Sequence, residues 1–138
     1  MKITKVEARR HSGDAEAAYV AEIVIVSVHT EEDIVGTGFA SAPPGAGVLF
    51  QQIIENVLAP KIVGSDPQLT SDLWDRMYHE AIPRRGGEGI VRICISALDM
   101  ALWDIKGKHF GAPAWELMGG ACRDRVRVYS WVGGESPD

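Results

Sequence analysis

Hydrophobic residues change their period along this chain. From Ile3 to Arg10, apolar Ile3, Val6 and Ala8 alternate weakly with polar neighbours, which predicts a first strand running into a polar turn at His11-Ser-Gly-Asp14. Tyr19 to His29 is dense in Val and Ile, a strand by β-branched propensity. Glu31-Glu-Asp33 supplies a turn, and Ile34 to Phe39 the returning strand of a hairpin. Ser41 to Gly47, with Pro43-Pro44 and two glycines, reads as a loop unable to pair in a sheet. The first third is thus a predicted three-stranded antiparallel meander.

From Val48 to about Gly111 the period becomes helical. Val48, Ile53, Ile54, Val57 and Leu58 form one apolar stripe, with Pro60 as its expected stop. Asp66-Pro67 opens the next unit, where Thr70 or Ser71 is placed to cap a helix over Asp72 to Glu80. Arg84 to Gly89 is a glycine-rich break. A long helix is predicted from about Ile90 to Phe110, its core face drawn from Ile90, Ile93, Cys94, Ala97, Leu98, Ala101, Leu102 and Ile105. Gly111 suits a C-cap, Pro113 opens a short turn through Leu117, and Gly119-Gly120 closes it. Val126, Val128 and Tyr129 then signal a strand over Arg125 to Trp131 that has no successor to complete a sheet, the start of a unit not contained here. Strands first and helices after predict an α+β domain.

Composition adds little that is special. A chain of 138 residues, 46% hydrophobic and 24% charged, is one domain's worth with a real core. A net charge of −5 without a basic run argues against a nucleic-acid surface. No apolar run spans a bilayer and the N-terminus lacks an apolar leader, so the expected location is cytoplasmic with no membrane partner. Cys94 falls inside the helical apolar pattern and reads as a buried free thiol. No spacing suggests zinc, and the four histidines have no partner nearby in sequence.

Asp99 and Asp104 interrupt the long helix with carboxylates that could bind a metal or trade a proton. Five residues apart they splay by about 140° on the helix wheel, so the structural reading is favoured: Asp104 pairs with Lys108 at i,i+4, and Ala97, Ala101 and Gly107 admit a close backbone. Gly36-Thr-Gly38 sits within a hairpin strand and is not a phosphate loop. Arg84-Arg85 could receive a carboxylate, with a solvated basic loop as the slightly favoured alternative; Trp131 is equally a pocket wall or core.

Ser96-Ala-Leu-Asp99, Ala101-Leu102, Asp104, Gly107-Lys108, Pro113, Leu117 and Gly119 resemble, in order and spacing, the N-terminal signature of the enolase superfamily's mandelate racemase and muconate lactonizing branch. Cys94 and Ala114 depart from it at apolar packing positions. The resemblance covers the whole chain. Met1 to Lys5, Asp72 to Asp75 with Met77-Tyr78, Ala101 to Lys108 and Val128 to Gly134 are further similar to D-galactonate dehydratases. Those enzymes carry Gly-Trp-Gly-Glu where this chain has Gly36-Thr-Gly-Phe39, and the segments His11 to Ala18 and Ala40 to Gly47 also differ, so a mannonate-type or other acid sugar stays open.

The resemblance implies a capping domain over residues 1–124 and the first strand of a (β/α) barrel over 125–138. That barrel would carry Mg²⁺ and the acid/base residues that abstract the proton α to a carboxylate and expel the β-hydroxyl. No catalytic residue and no metal ligand is then expected on this chain, which alone would be inactive. Its expected contribution is to enclose the aldonate with His11, Ser12, Gly13, Asp14, Ser41 and Pro43, and with Trp131 at the barrel mouth. The expected partners are the barrel domain and further copies in a homo-oligomer. A self-standing, non-catalytic α+β interaction module is the alternative reading.

Overall fold

The computed structural model describes residues 1–11, 22–80 and 88–129. Strands β1 (Ile3–His11), β2 (Glu22–Thr30) and β3 (Val35–Ala42) form an antiparallel sheet in the order β1-β2-β3. The meander read from the sequence is therefore present, with two corrections at its ends. His11 is not in a turn but closes β1 opposite Ile23. Ser41 and Ala42, expected in a loop, pair with Ile23 and Glu22. The prolines that forbid pairing are Pro43 and Pro44, so the ladder runs until their missing N–H groups stop it.

One sheet face is buried. Val24, Val26 and Val28 project inward from β2, and Gly36, Gly38, Ala40 and Ala42 from β3. Against it lies a helical layer. Helix α1 (Gly47–Gln52), a π-helical stretch (Ile53–Leu58) and α2 (Ala59–Ile62) make one rod with helical backbone at each junction. Pro60 does not end it. The Ala59 N–H already reaches back five residues to the Ile54 carbonyl, and in this wider register proline is accommodated near the start of the following α-turn. The buried stripe is Phe50, Ile54, Leu58 and Ile62, at steps of four. An α-helix alone drifts about 40° per four residues, and the π turns drift the other way, keeping the stripe on the sheet. Val48 is accordingly outside, at 46% exposure.

Helices α3 (Thr70–Glu80), α4 (Ile90–Phe110) and α5 (Ala114–Leu117) complete the layer. Thr70 is itself the first helical residue and nearly buried, so neither it nor Ser71 precedes the helix as a cap; the approach is shaped by the Asp66 carboxylate accepting the Gln68 N–H at 3.0 Å. Helix α4 has the predicted span and ends at Gly111 with φ 64, the Ala112 N–H reaching the Gly107 carbonyl at 3.0 Å as in a Schellman closure. Its buried set is Cys94, Ile95, Ala97, Leu98, Ala101, Leu102 and Ile105. Ile95 joins because α4 is covered on two sides, by the sheet and by the other helices. Ile90 and Ile93, in the first turn, stay about two-fifths exposed, at 38% and 43%.

The contact between α4 and β3 is made by backbone. A Cβ placed on Gly36 would strike the Ala101 carbonyl, and one on Gly38 the Ala97 carbonyl. Side chains from the helical layer bond backbone groups on both outer edges of the sheet. On β1 the Ala8 N–H donates to Glu55 Oε1 at 3.0 Å. On β3 the Thr37 N–H donates to Asp104 Oδ2 at 2.8 Å, while Lys108 Nζ spans from that same oxygen to the Val35 carbonyl, both at 2.7 Å. The i,i+4 pair read from the sequence thus has a second task at the strand edge. Residues 125–129 enter no ladder, and Val126, Val128 and Tyr129 are 70%, 84% and 93% exposed. Residues 130–131 of that expected strand lie outside the described residues.

Because the nearest atom facing each glycine is a carbonyl oxygen of the helix backbone, Gly38→Ala is expected to destabilise the chain by about 2–3 kcal/mol, and Gly36→Ala, which would also press on the Ile105 side chain, similarly, measured by urea unfolding. Burial pushes the Cys94 thiol up to about 12, and Cys122 is exposed. A disulfide-exchange reagent at about pH 8 should therefore titrate one thiol in the native chain and both after denaturation.

Candidate functional site

Two places could carry function. The first is the end of the sheet where β1 and β3 finish. Register sets His11, Ile23 and Ser41 side by side in one row. Their strand parity puts all three on the face away from the helices. His11 and Ser41 are exposed, and Ile23 between them is 43% exposed. Pro43 follows two residues after Ser41 at the head of a tight turn closed by the Ala46 N–H on the Pro43 carbonyl at 3.0 Å.

That turn is held from both sides. On one, Ser41 and Ala42 are in the ladder; on the other, the buried carboxylate of Glu22 accepts the Gly47 N–H at 2.6 Å. Gly47 lets them approach closely, since a Cβ there would press on Glu22 Oε2 and the Arg10 side chain. A rigid, proline-bearing turn beside an imidazole and a hydroxyl can hydrogen-bond a polar ligand and exclude water from it. Among the described residues it offers no nucleophile with an adjacent base, since Ile23 stands between His11 and Ser41.

The structure thus brings His11, Ser41 and Pro43 to one end of the sheet. Ser12, Gly13, Asp14 and Trp131 lie outside the described residues. Glu22 was invisible to sequence reading, because its role depends on a register that places it against a helix start 25 residues on. The only available signal was a carboxylate opening a hydrophobic strand. Among the histidines, His29 Nε2 meets Glu7 Oε2 at 3.0 Å across the outer sheet face. Lys5, bonded at 2.6 Å, with His29 and Arg9 nearby, lowers the Glu7 carboxyl below its ordinary range.

The second place is the outward side of α4. Asp99 is half-buried, and its carboxylate has no hydrogen-bond or ion-pair partner among the described residues. Desolvation alone raises it above the usual carboxylate range. It lies between two clefts, one of about 510 Å³ toward α5, walled by Met100, Trp103, Pro113 and Met118, and one of about 230 Å³ toward α3, walled by Thr70, Ser71 and Trp74. Asp104 turns instead to β3 and Lys108, so the two aspartates do not act together. Among the described residues no three His, Cys, Asp or Glu side chains gather to hold a metal ion, and no helix is long and apolar enough to cross a membrane.

Known proteins share this architecture. A dehydratase candidate from Mesorhizobium loti is 37% identical with a TM-score of 0.80, over 94% of this chain and 33% of its own. A member of the enolase superfamily from Salmonella Typhimurium is 32% identical with a TM-score of 0.81, over 94% of this chain and 32% of its own. The 3,6-anhydro-D-galactonate cycloisomerase of Zobellia galactanivorans is 29% identical with a TM-score of 0.75, over 87% of this chain and 32% of its own. The chain spans about a third of the length of these relatives. Residues 4–119 match the sequence model of the mandelate racemase / muconate lactonizing enzyme N-terminal domain, and the chain belongs to that family.

Proposed function

We propose that this chain is the N-terminal capping part of a Mg²⁺-dependent acid-sugar dehydratase, with an aldonate of the galactonate type as substrate. The observation that supports it most is the likeness, 37% identity over 94% of the chain, to a dehydratase candidate. The galactonate-like segments around Asp72, Ala101 and Val128 narrow the class. Family membership implies Mg²⁺ in the complete enzymes, where this domain pairs with a barrel domain. The described residues do not form a site for that ion. What this chain supplies in the proposed role is enclosure. His11 and Ser41 donate hydrogen bonds to substrate hydroxyls, and the turn at Pro43 shuts out water, while proton abstraction α to the carboxylate and loss of the β-hydroxyl belong to the barrel.

The test joins this chain to the remaining two-thirds of the Mesorhizobium loti relative and assays a panel of aldonates with Mg²⁺ for formation of the 2-keto-3-deoxy acid. Dehydration of a galactonate-type acid by the fusion, and none by the 138-residue chain alone, is the expected result. His11→Ala and Ser41→Ala should each raise KM by about 5–10-fold with a smaller change in kcat, as for groups that bind rather than transform substrate. Turnover by the chain alone, or racemisation without dehydration, would overturn the reading.

A further inference from the structure

The inward-facing positions of β2 run Glu22, Val24, Val26 and Val28, so a carboxylate stands where the strand's own pattern calls for another valine. Glu22 is only 8% exposed. A carboxylate withdrawn that far from water loses most of its hydration, and an apolar side chain would serve the buried sheet face better. The packing of the strand gives no reason for Glu22. The reason lies in what it holds.

Across the ladder Glu22 is paired with Ala42, the residue before Pro43. Through its side chain it accepts the N–H of Gly47, the residue after Ala46. One residue therefore fixes both ends of the turn 43–46. Inside the turn, closure rests on the Ala46 N–H bonded to the Pro43 carbonyl, and neither Pro43 nor Pro44 has an N–H to add to it. Ala46 precedes α1 without a side-chain cap, so the buried Gly47 N–H depends on an acceptor distant in the chain. Ser41 is the last residue but one of β3 and Pro43 the first beyond it. The angle at which the turn leaves the sheet thus decides how Pro43 stands to His11 and Ser41.

We propose that Glu22 is a positioning residue: by holding the Gly47 N–H while its backbone faces Ala42, it fixes the Pro43 turn beside His11 and Ser41 and so sets the affinity for the acid-sugar substrate. The proposal rests on the enclosing role given above to His11, Ser41 and Pro43. Strand parity puts Glu22 on the face opposite to His11 and Ser41, so it acts through the turn and does not touch the substrate. Gly47 belongs to the same device, because its missing Cβ leaves the space that the carboxylate occupies.

Amide hydrogen exchange on the 138-residue chain, and aldonate kinetics on its fusion to the remainder of the Mesorhizobium loti relative, test it together. Glu22→Ala should lower protection of the Gly47 N–H by about tenfold, the scale of one charge-assisted hydrogen bond, and leave the Thr37 N–H unchanged. In the fusion it should raise KM by about fivefold with kcat within about twofold, and Glu22→Gln, which keeps an acceptor, should recover most of that loss. Gly47→Ala separates positioning from stability. Its added Cβ meets only the movable ends of Glu22 and Arg10, so the midpoint of urea unfolding should barely shift while protection at residue 47 falls and KM rises as in Glu22→Ala. Asp104→Asn is the converse control. It weakens a comparable carboxylate bond, to the Thr37 N–H at 2.8 Å, and should lower the midpoint without changing KM.

Unchanged protection of Gly47 in Glu22→Ala, or a loss shared equally by Thr37, would overturn the proposal. So would an active fusion whose KM is indifferent to Glu22→Ala and Gly47→Ala. Should Glu22→Ala fail to fold, Gly47→Ala decides by the same readouts. A fusion that turns over no aldonate, although Gly47 loses protection locally, would refute the substrate class and the effect on affinity with it, while the clamp on the turn would stand.

Discussion

The fold depends on how closely α4 can approach β3. Gly36 and Gly38 on the strand meet the carbonyls of Ala101 and Ala97 on the helix, leaving no room for a side chain on the strand. Small residues on both partners convert what would be side-chain packing into backbone contact, and the rest of the layer follows. With α4 seated that low, Leu98, Leu102 and Ile105 reach the core, and the rod from Gly47 to Ile62 packs beside it along Phe50, Ile54, Leu58 and Ile62. The same seating brings Asp104 and Lys108 within reach of the β3 backbone.

Register does for the candidate site what close approach does for the core. Because β2 pairs with both neighbours over nearly its whole length, the last residues of β1 and β3 arrive at the same level on either side of Ile23. Glu22, one position earlier, turns to the other face and holds the start of α1. The turn at Pro43 is thus fixed by a ladder and by a carboxylate, and its position relative to His11 is a consequence of strand pairing.

Much of this was legible in the sequence. The meander, the span of α4, its Gly111 closure and the buried state of Cys94 all follow from period, β-branching and capping chemistry, which act locally. What escaped was decided by partners distant in the chain. Pro60 is a helix stop in isolation, but the π register around Ile54 to Ala59 absorbs it. Ser41 and Ala42 looked like loop because of the prolines after them, yet β2 offered both a pairing edge. Ile95 and Phe50 are buried because α4 and α1 are covered on more than one side. The unmet carboxylate of Asp99 could not be told from an ordinary surface aspartate until its clefts were in view.

Side-chain bonds to both sheet edges limit how the protein can associate. Glu55 takes the free N–H of Ala8 on one flank, and Asp104 with Lys108 takes Thr37 and Val35 on the other. A neighbouring chain extending the sheet by a fourth strand across Ala8, Val35 or Thr37 would have to displace these charge-assisted hydrogen bonds. At those positions strand addition therefore competes with bonds already made, which narrows the stretch of each edge that another strand could use.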